Sequence, residues 1–184
     1  MDYPKNNDVT SLILELVRLY KPKLYVEIGT QKGYTFCKVA PLVDKAVAVD
    51  TKIQPAVRLA GANVWCWEET SDMFFSQLDM CYDHMDMVFV DGCHDTGQVY
   101  RDVVNSIKYV TPGTGLVLVH DTYPIDSRLE QPDRCGGAWK AIRQLKIRYA
   151  PELEILTLPG PYYGLTIIRK VSVYRHFGVE GDSR

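Results

Sequence analysis

Residues 24–35 read LYVEIGTQKGYT. A short apolar run, 24–29, ends in an acid, Glu27, and a glycine, Gly29, and a second glycine follows at Gly33. Glycines at that spacing allow a tight turn and a close backbone approach to a ligand at a helix N-terminus. The pattern is therefore strand, glycine turn, helix, which is the opening of an α/β unit. It is not the GxGxxG dinucleotide fingerprint.

Outward from this stretch the pattern repeats. AVAVD (46–50), ANVWCW (62–67), MDMVFVDG (85–92) and GLVLVHD (115–121) read as further buried strands, three of them running into an aspartate. Between and around them, apolar residues return at helical spacing. They are Val9, Leu12, Ile13, Leu16, Val17 and Tyr20, then YTFCKVAPLV (34–43) with a break at Pro41, then Tyr100, Val103, Val104, Ile107 and Val110, then Trp139, Ile142, Leu145 and Tyr149. Asp8 is placed to cap the first helix and Pro22 to follow its end. LEILTL (153–158) and YGLTIIRK (163–170) read as a closing antiparallel pair. Continuous apolar strands alternating with helices predict a sheet covered on both faces. The expectation is one α/β domain over residues 1–170, a doubly wound, Rossmann-like sheet, mostly parallel with a C-terminal antiparallel strand pair. Residues 1–22 carry an N-terminal helix and 171–184 a polar tail.

The totals narrow the function. A chain of 184 residues with 46% hydrophobic content buries a core of its own. A net charge of −2 gives no bulk attraction to nucleic acid or to an anionic membrane, so the expected partner is a small molecule. No apolar run is long enough to span a bilayer, and MDYPKNNDVT (1–10) lacks the apolar core of a signal peptide. The expected location is cytoplasmic. The five cysteines form no CxxC pair, which argues against a disulfide framework or a thiol zinc site. Oligomeric state is not legible.

In an open α/β sheet, ligands lie beyond the carboxyl ends of the strands. Glu27, Asp50, Asp91 and Asp121 all fall at such ends. Each alone is explained by loop polarity or helix capping; four at one edge describe a ligand site. Asp50 follows Gly29 at the distance where an acid accepts from ribose hydroxyls. An adenosine-type ligand is expected, and NAD and S-adenosylmethionine both qualify.

EIGTQKGYT (27–35) resembles the first motif of class I S-adenosylmethionine-dependent methyltransferases, especially the metal-dependent catechol type. VDGCH (90–94), RDVV (101–104), PGTG (112–115) and VHDT (119–122) resemble the small sugar and macrolide O-methyltransferases. The resemblance spans about Leu24 to Arg169. It implies a methyltransferase-like domain in which Glu27, Gly29, Thr30, Gly33, Tyr34 and Thr35 serve the methionine end of S-adenosylmethionine. Asp50 would hold the ribose and Ser71 would lie beside the adenine, with Trp67 either stacking there or packed in the core. The implied reaction is methyl transfer to a hydroxyl of a small or glycosylated acceptor.

The resemblance also implies metal ligands at Asp91, His120 and Asp121. The families usually carry an aspartate where this chain has His120. A divalent cation, Mg²⁺ or Mn²⁺, would fit this set, although an imidazole favours softer metals over Mg²⁺. The base of the sugar-modifying enzymes falls on Cys93 and that of the catechol type on His94. A thiol is a poor match, whereas an imidazole titrates near neutral pH, so His94 is the expected base beside Asp91. Asp95 is the expected cap of the next helix. The segment TYPIDSRLEQPDRCG (122–136) is the expected lid. Two rivals stay open: an NAD-linked oxidoreductase or other adenosine-ligand enzyme, and a non-catalytic module that keeps the cofactor pocket.

Overall fold

The computed structural model describes residues 9–78, 84–160 and 163–171. Strands β1 (Leu24–Ile28), β2 (Lys45–Val49), β3 (Val64–Trp67), β4 (Met87–Val90), β5 (Leu116–His120), β6 (Leu153–Leu158) and β7 (Leu165–Lys170) form one seven-stranded sheet in the order β3-β2-β1-β4-β5-β7-β6. β1 pairs parallel with β2 and β4, and β4 with β5. β7 inserts antiparallel between β5 and β6, with Leu118 opposite Ile167 and Ile155 opposite Ile168. The expected class is observed, including the closing antiparallel pair.

Helices α1 (Val9–Tyr20), α2 (Phe36–Val39), α3 (Pro55–Arg58), α4 (Ser71–Ser76), α5 (Thr96–Tyr109) and α6 (Ala138–Arg148) cover the two faces. On one face Tyr25, Ala46, Ala48, Met87, Phe89 and Leu118 pack against Ile13 and Val17 of α1, Phe36 and Val39 of α2, and Val57 of α3. On the other, Val26, Ile28, Val47, Val88 and Val117 pack against Phe74 of α4, Val103 of α5, and Ile142 and Leu145 of α6. Successive strand residues point to opposite faces, and both faces are covered, so the strands carry no polar alternation. Full burial of a side chain such as Ile13 contributes about 1.5–3 kcal/mol.

Several helix limits follow local chemistry. Pro41 turns the end of α2 into a 3-10 turn, Ala40–Leu42, because it cannot donate to the helix ladder. Pro55 opens α3. Thr70 caps α4 by accepting from the Met73 amide, and Asp95 caps α5 by accepting from the amides of Gly97 and Gln98. The cap expected at Asp8 and the tail 172–184 lie outside the described residues. α3 and α4 have too few turns to produce a readable period and are absent from the sequence reading. Among the described residues, no helix is long and apolar enough to cross a membrane.

The chain leaves β1 toward β2 and β3, then returns across the sheet to place β4 on the other side of β1. That reversal opens a crevice at the carboxyl ends of β1 and β4, where a doubly wound sheet binds its ligand.

Candidate active site

A cleft of about 650 Å³ occupies this crevice, running from the β1 turn past the ends of β2 and β4 to the end of β5. Of the residues expected to form the site, Glu27, Gly29, Thr30, Tyr34, Thr35, Asp50, Ser71, Asp91, His94, His120 and Asp121 all line it. Gly33 lies behind the wall. A β-carbon there would stand 2.7 Å from Val57 Cγ2 and 2.9 Å from Cys37 Sγ, so the glycine lets the loop lie flat on α3. Trp67 is half-buried and packs against the core, set edge-on to Phe74 with ring centroids 5.6 Å apart.

Gly29 has φ +86° and Gly33 φ +80°, and Gln31 between them is also left-handed at +44°. The need for glycine at 29 is internal as much as ligand-directed. An added β-carbon would meet the Asp91 carbonyl oxygen and Gly92 Cα at 2.4 Å, so β1 and β4 close on each other only because residue 29 has no side chain. Glu27 is 2% exposed and accepts a 2.6 Å hydrogen bond from the Tyr25 hydroxyl, its neighbour on the same face of β1. Burial, above all, holds the Glu27 carboxyl well above the usual carboxylate range; Asp91 adds to this, while the Tyr25 hydrogen bond works against it. Thr35 pairs its hydroxyl with Thr10 of α1 at 2.8 Å, joining the glycine loop to the N-terminal helix. Thr30 Oγ1 is buried without a hydrogen-bond partner among the described residues. A buried orphan of this kind is met by ordered water or by a ligand group.

Asp50 accepts from the amide of Gln31 at 2.8 Å and that of Lys52 at 3.0 Å, one on each oxygen. A carboxylate offers about four lone-pair directions, so each oxygen retains capacity for a ligand hydroxyl. Ser71 lies across the cleft at the start of α4. Its hydroxyl donates to Asp102 Oδ1 at 2.7 Å, and Gln98 Nε2 donates to Ser71 Oγ at 3.1 Å and to Asp102 Oδ1 at 2.9 Å. Gln98 and Asp102 are cleft residues that sequence reasoning missed, along with Gln31, Lys32, Arg134 and Tyr163. A one-turn separation on α5 marks Gln98 and Asp102 as neighbours of each other but not of the cleft.

At the β4 and β5 ends two histidines and two aspartates interlock. His94 Nε2 lies 3.0 Å from Asp121 Oδ2; His120 Nδ1 lies 3.0 Å from Asp91 Oδ1 and 3.5 Å from Asp121 Oδ2. Asp121 is 4% exposed and left-handed at φ +59°, a conformation that costs a non-glycine residue on the order of 1 kcal/mol and collects at working sites. The Asp121 hydrogen bond raises the His94 pKa above its ordinary value, burial opposes this, and the Arg134 backbone adds to the rise. Burial, helped by Asp121, pushes the Cys135 thiol up to about 12, so it stays protonated beside the cluster. Cys93 is exposed.

Asp91, His94 and Asp121 each bring one ligand atom within 4.8 Å of the others. The donor set of two carboxylates and one imidazole suits a divalent cation. His120, the expected third ligand, lies beside that group, its Nδ1 3.0 Å from Asp91 Oδ1 and 3.5 Å from Asp121 Oδ2.

The expected lid is a structured strap. It contains a 3-10 turn, Ser127–Glu130, and buries Leu129 and Cys135. The Gly137 amide donates to the His94 carbonyl at 2.7 Å, and Thr96 Oγ1 donates to the Gly137 carbonyl at 3.1 Å. At its other end the Tyr123 amide donates to the Tyr163 carbonyl at 2.8 Å, and Arg134 reaches the Tyr163 hydroxyl at 3.0 Å.

A search of curated proteins finds no match. Several solved structures share the fold. The O-methyltransferase TomG of Streptomyces achromogenes, involved in tomaymycin synthesis and solved with SAM, is 20% identical, with 89% of this chain and 80% of that one covered at a TM-score of 0.71. An O-methyltransferase of Bacillus cereus in complex with SAH is 18% identical, with 91% and 84% covered and a TM-score of 0.67. The SAH-bound methyltransferase PaMTH1 of Podospora anserina is 21% identical, with 89% and 78% covered and a TM-score of 0.66. A family model described as a methyltransferase domain matches residues 26–122, more than half of the chain, from the first strand through the Asp121 turn. The chain belongs to the methyltransferase-domain family.

Proposed function

We propose that this chain moves a methyl group from S-adenosylmethionine to the hydroxyl oxygen of a small or glycosylated acceptor, releasing S-adenosylhomocysteine and the hydroxyl proton. The observation that carries the reading is one cleft holding three things in order: the glycine loop, the Asp50 carboxylate and the Asp91/His94/Asp121 cluster. Family membership and SAM- or SAH-bound proteins of the same fold support it.

In this reading the loop from Glu27 to Thr35 receives the methionine end, with the orphan Thr30 hydroxyl among its contacts. Asp50 holds the ribose and Ser71 lies at the base. The sulfonium methyl then faces the β4 and β5 ends, where an acceptor oxygen is placed for in-line displacement. Positioning of this kind supplies up to about 7–11 kcal/mol of barrier reduction. A divalent cation held by Asp91, His94 and Asp121 would lower the acceptor hydroxyl's pKa and orient it.

His94 is the point where the geometry moves our reading away from the sequence expectation. Its Nε2 faces the Asp121 carboxylate at 3.0 Å, while the ring also hydrogen-bonds the Arg134 backbone, the usual way a ligating histidine is oriented. A neutral imidazole lone pair and a carboxylate at that distance are two acceptors, and they need a proton or a metal ion between them. We therefore assign His94 as the third ligand in the metal-loaded state and as the holder of a proton against Asp121 in the metal-free state. His120 holds Asp91 in place.

The test is calorimetric titration of the purified protein with S-adenosylhomocysteine and with NAD, each with and without Mn²⁺, followed by turnover assays on a panel of hydroxyl acceptors. Binding of S-adenosylhomocysteine but not NAD, and its formation during turnover, is expected. Binding of NAD alone would overturn the cofactor assignment. Cofactor binding without turnover of any acceptor would leave the non-catalytic module as the better account.

A further inference from the structure

With a ribose on Asp50 and the reacting group at Asp91 and Asp121, the remaining compartment of the cleft is walled by Thr70, Ser71, Gln98 and Asp102. The hydrogen bonds in this compartment have a fixed direction. Ser71 has one hydroxyl proton and gives it to Asp102 Oδ1 at 2.7 Å. Gln98 turns its amino group inward, toward Ser71 Oγ at 3.1 Å, Asp102 Oδ1 at 2.9 Å and Asp72 Oδ1 at 3.2 Å. Its carbonyl oxygen accepts from the Arg101 guanidinium, which settles which end of the amide faces which way. The Ser71 proton and the Gln98 amino group are thereby committed within the protein. Toward an occupant of the cleft, Ser71 can only accept.

We infer that Asp102 is a positioning residue that sets this sense. By taking the Ser71 proton it leaves Ser71 an acceptor at the base end of the cleft, selective for a purine that presents an amino group there over one that presents a carbonyl. The inference rests on the nucleoside reading above and adds to it a residue and a direction of selectivity. Asp102 is suited to the task. It is 1% exposed and its own amide and carbonyl are fixed within α5, where Ser106 Oγ donates to the carbonyl at 2.7 Å. Oδ1 receives two donors at once, so it acts as an acceptor whether or not the acid is ionised. A carbonyl-bearing base would set oxygen against oxygen in the same position, and a buried polar pair left unmatched is expensive.

The experiment compares affinities for S-adenosylhomocysteine and S-inosylhomocysteine, its deaminated counterpart, by calorimetry on the full chain. The unmodified protein should prefer the amino form by about tenfold or more, the scale of one hydrogen bond to a charge-assisted acceptor. In Asp102→Ala the Ser71 proton loses its acceptor and is free to face the cleft. The preference should then fall to about threefold or less, chiefly through weaker binding of the amino form. Ser71→Ala, at the half-buried start of α4, removes the acceptor and should give the same loss of preference without touching a buried carboxylate. A preference near one in the unmodified protein would overturn the inference and leave the cofactor reading intact. So would an Asp102→Ala variant that weakens both ligands equally or that keeps the original preference. Should Asp102→Ala fail to fold, a preference retained in Ser71→Ala would overturn it just as well. Failure of the unmodified protein to bind either nucleoside would remove both readings together.

Discussion

Glu27→Gln isolates the least comfortable group in the molecule. Glu27 is 2% exposed, carries the Tyr25 hydroxyl at 2.6 Å, and sits in the field of Asp91 and Asp50. Its folded-state pKa is raised well above the unfolded one, mainly by burial. The sign follows from linkage. The folded protein holds the proton after the unfolded chain has lost it, so the stability this group contributes is complete below the unfolded carboxylate value of about 4.3 and is lost as pH rises toward the raised folded value. One proton limits the slope to about 1.4 kcal/mol per pH unit. For a domain of this size that is about 3–5 °C in Tm per pH unit. Glutamine keeps the shape and still accepts from Tyr25, but cannot ionise. Urea or thermal unfolding of both ligand-free proteins, in steps from about pH 5 to 8, should therefore show the variant gaining on the parent as pH rises, across the window set by the raised pKa. The difference between the two proteins cancels every titrating group that does not sense Glu27. A difference that stays flat with pH, or shrinks as pH rises, would refute the claim that burial raises the Glu27 pKa.

Gly29→Ala should destabilise the fold by more than the roughly 1 kcal/mol of a left-handed alanine, because its β-carbon would overlap the Asp91 and Gly92 backbone at 2.4 Å; an unchanged urea midpoint would contradict this. Asp50→Ala should weaken S-adenosylhomocysteine about 10- to 100-fold, the scale of lost hydrogen bonds to a charged group, while leaving unfolding within about 1 kcal/mol. Equal affinities by calorimetry would remove Asp50 from the ribose.

The parts legible in the sequence were those whose signal is local. Continuous apolar strands such as MVFV (87–90) and LVLVH (116–120) can only be buried on both faces, and the acids closing them mark the ligand edge. Asp95 announced its cap by standing just before a long helix. The 3.6-residue period could not reveal α3 and α4, which have four and six residues. Gln98 and Asp102 were invisible for a different reason. Their partner Ser71 is 27 and 31 residues away, and only the passage of the chain from β3 back to β4 sets α4 against α5. His94 and His120 were both picked out, but how the two imidazoles share Asp91 and Asp121 is set by contacts distant in sequence, among them one made more than forty residues later, where Gly137 meets the His94 carbonyl.

That last contact bears on how the acceptor range of such a protein can be redesigned. Residue 136 has φ +52°, and a β-carbon on it would lie 2.6 Å from the His94 carbonyl oxygen, while one at 137 would lie 2.0 Å from Thr96 Oγ1. The strap and the loop after β4 are therefore two halves of one joint rather than a cover and a floor. Transplanting residues 122–137 from a relative in order to import its substrate preference would carry in a foreign mate for residues 93–96. The graft that preserves the cluster is the pair of segments taken together, with both glycines kept.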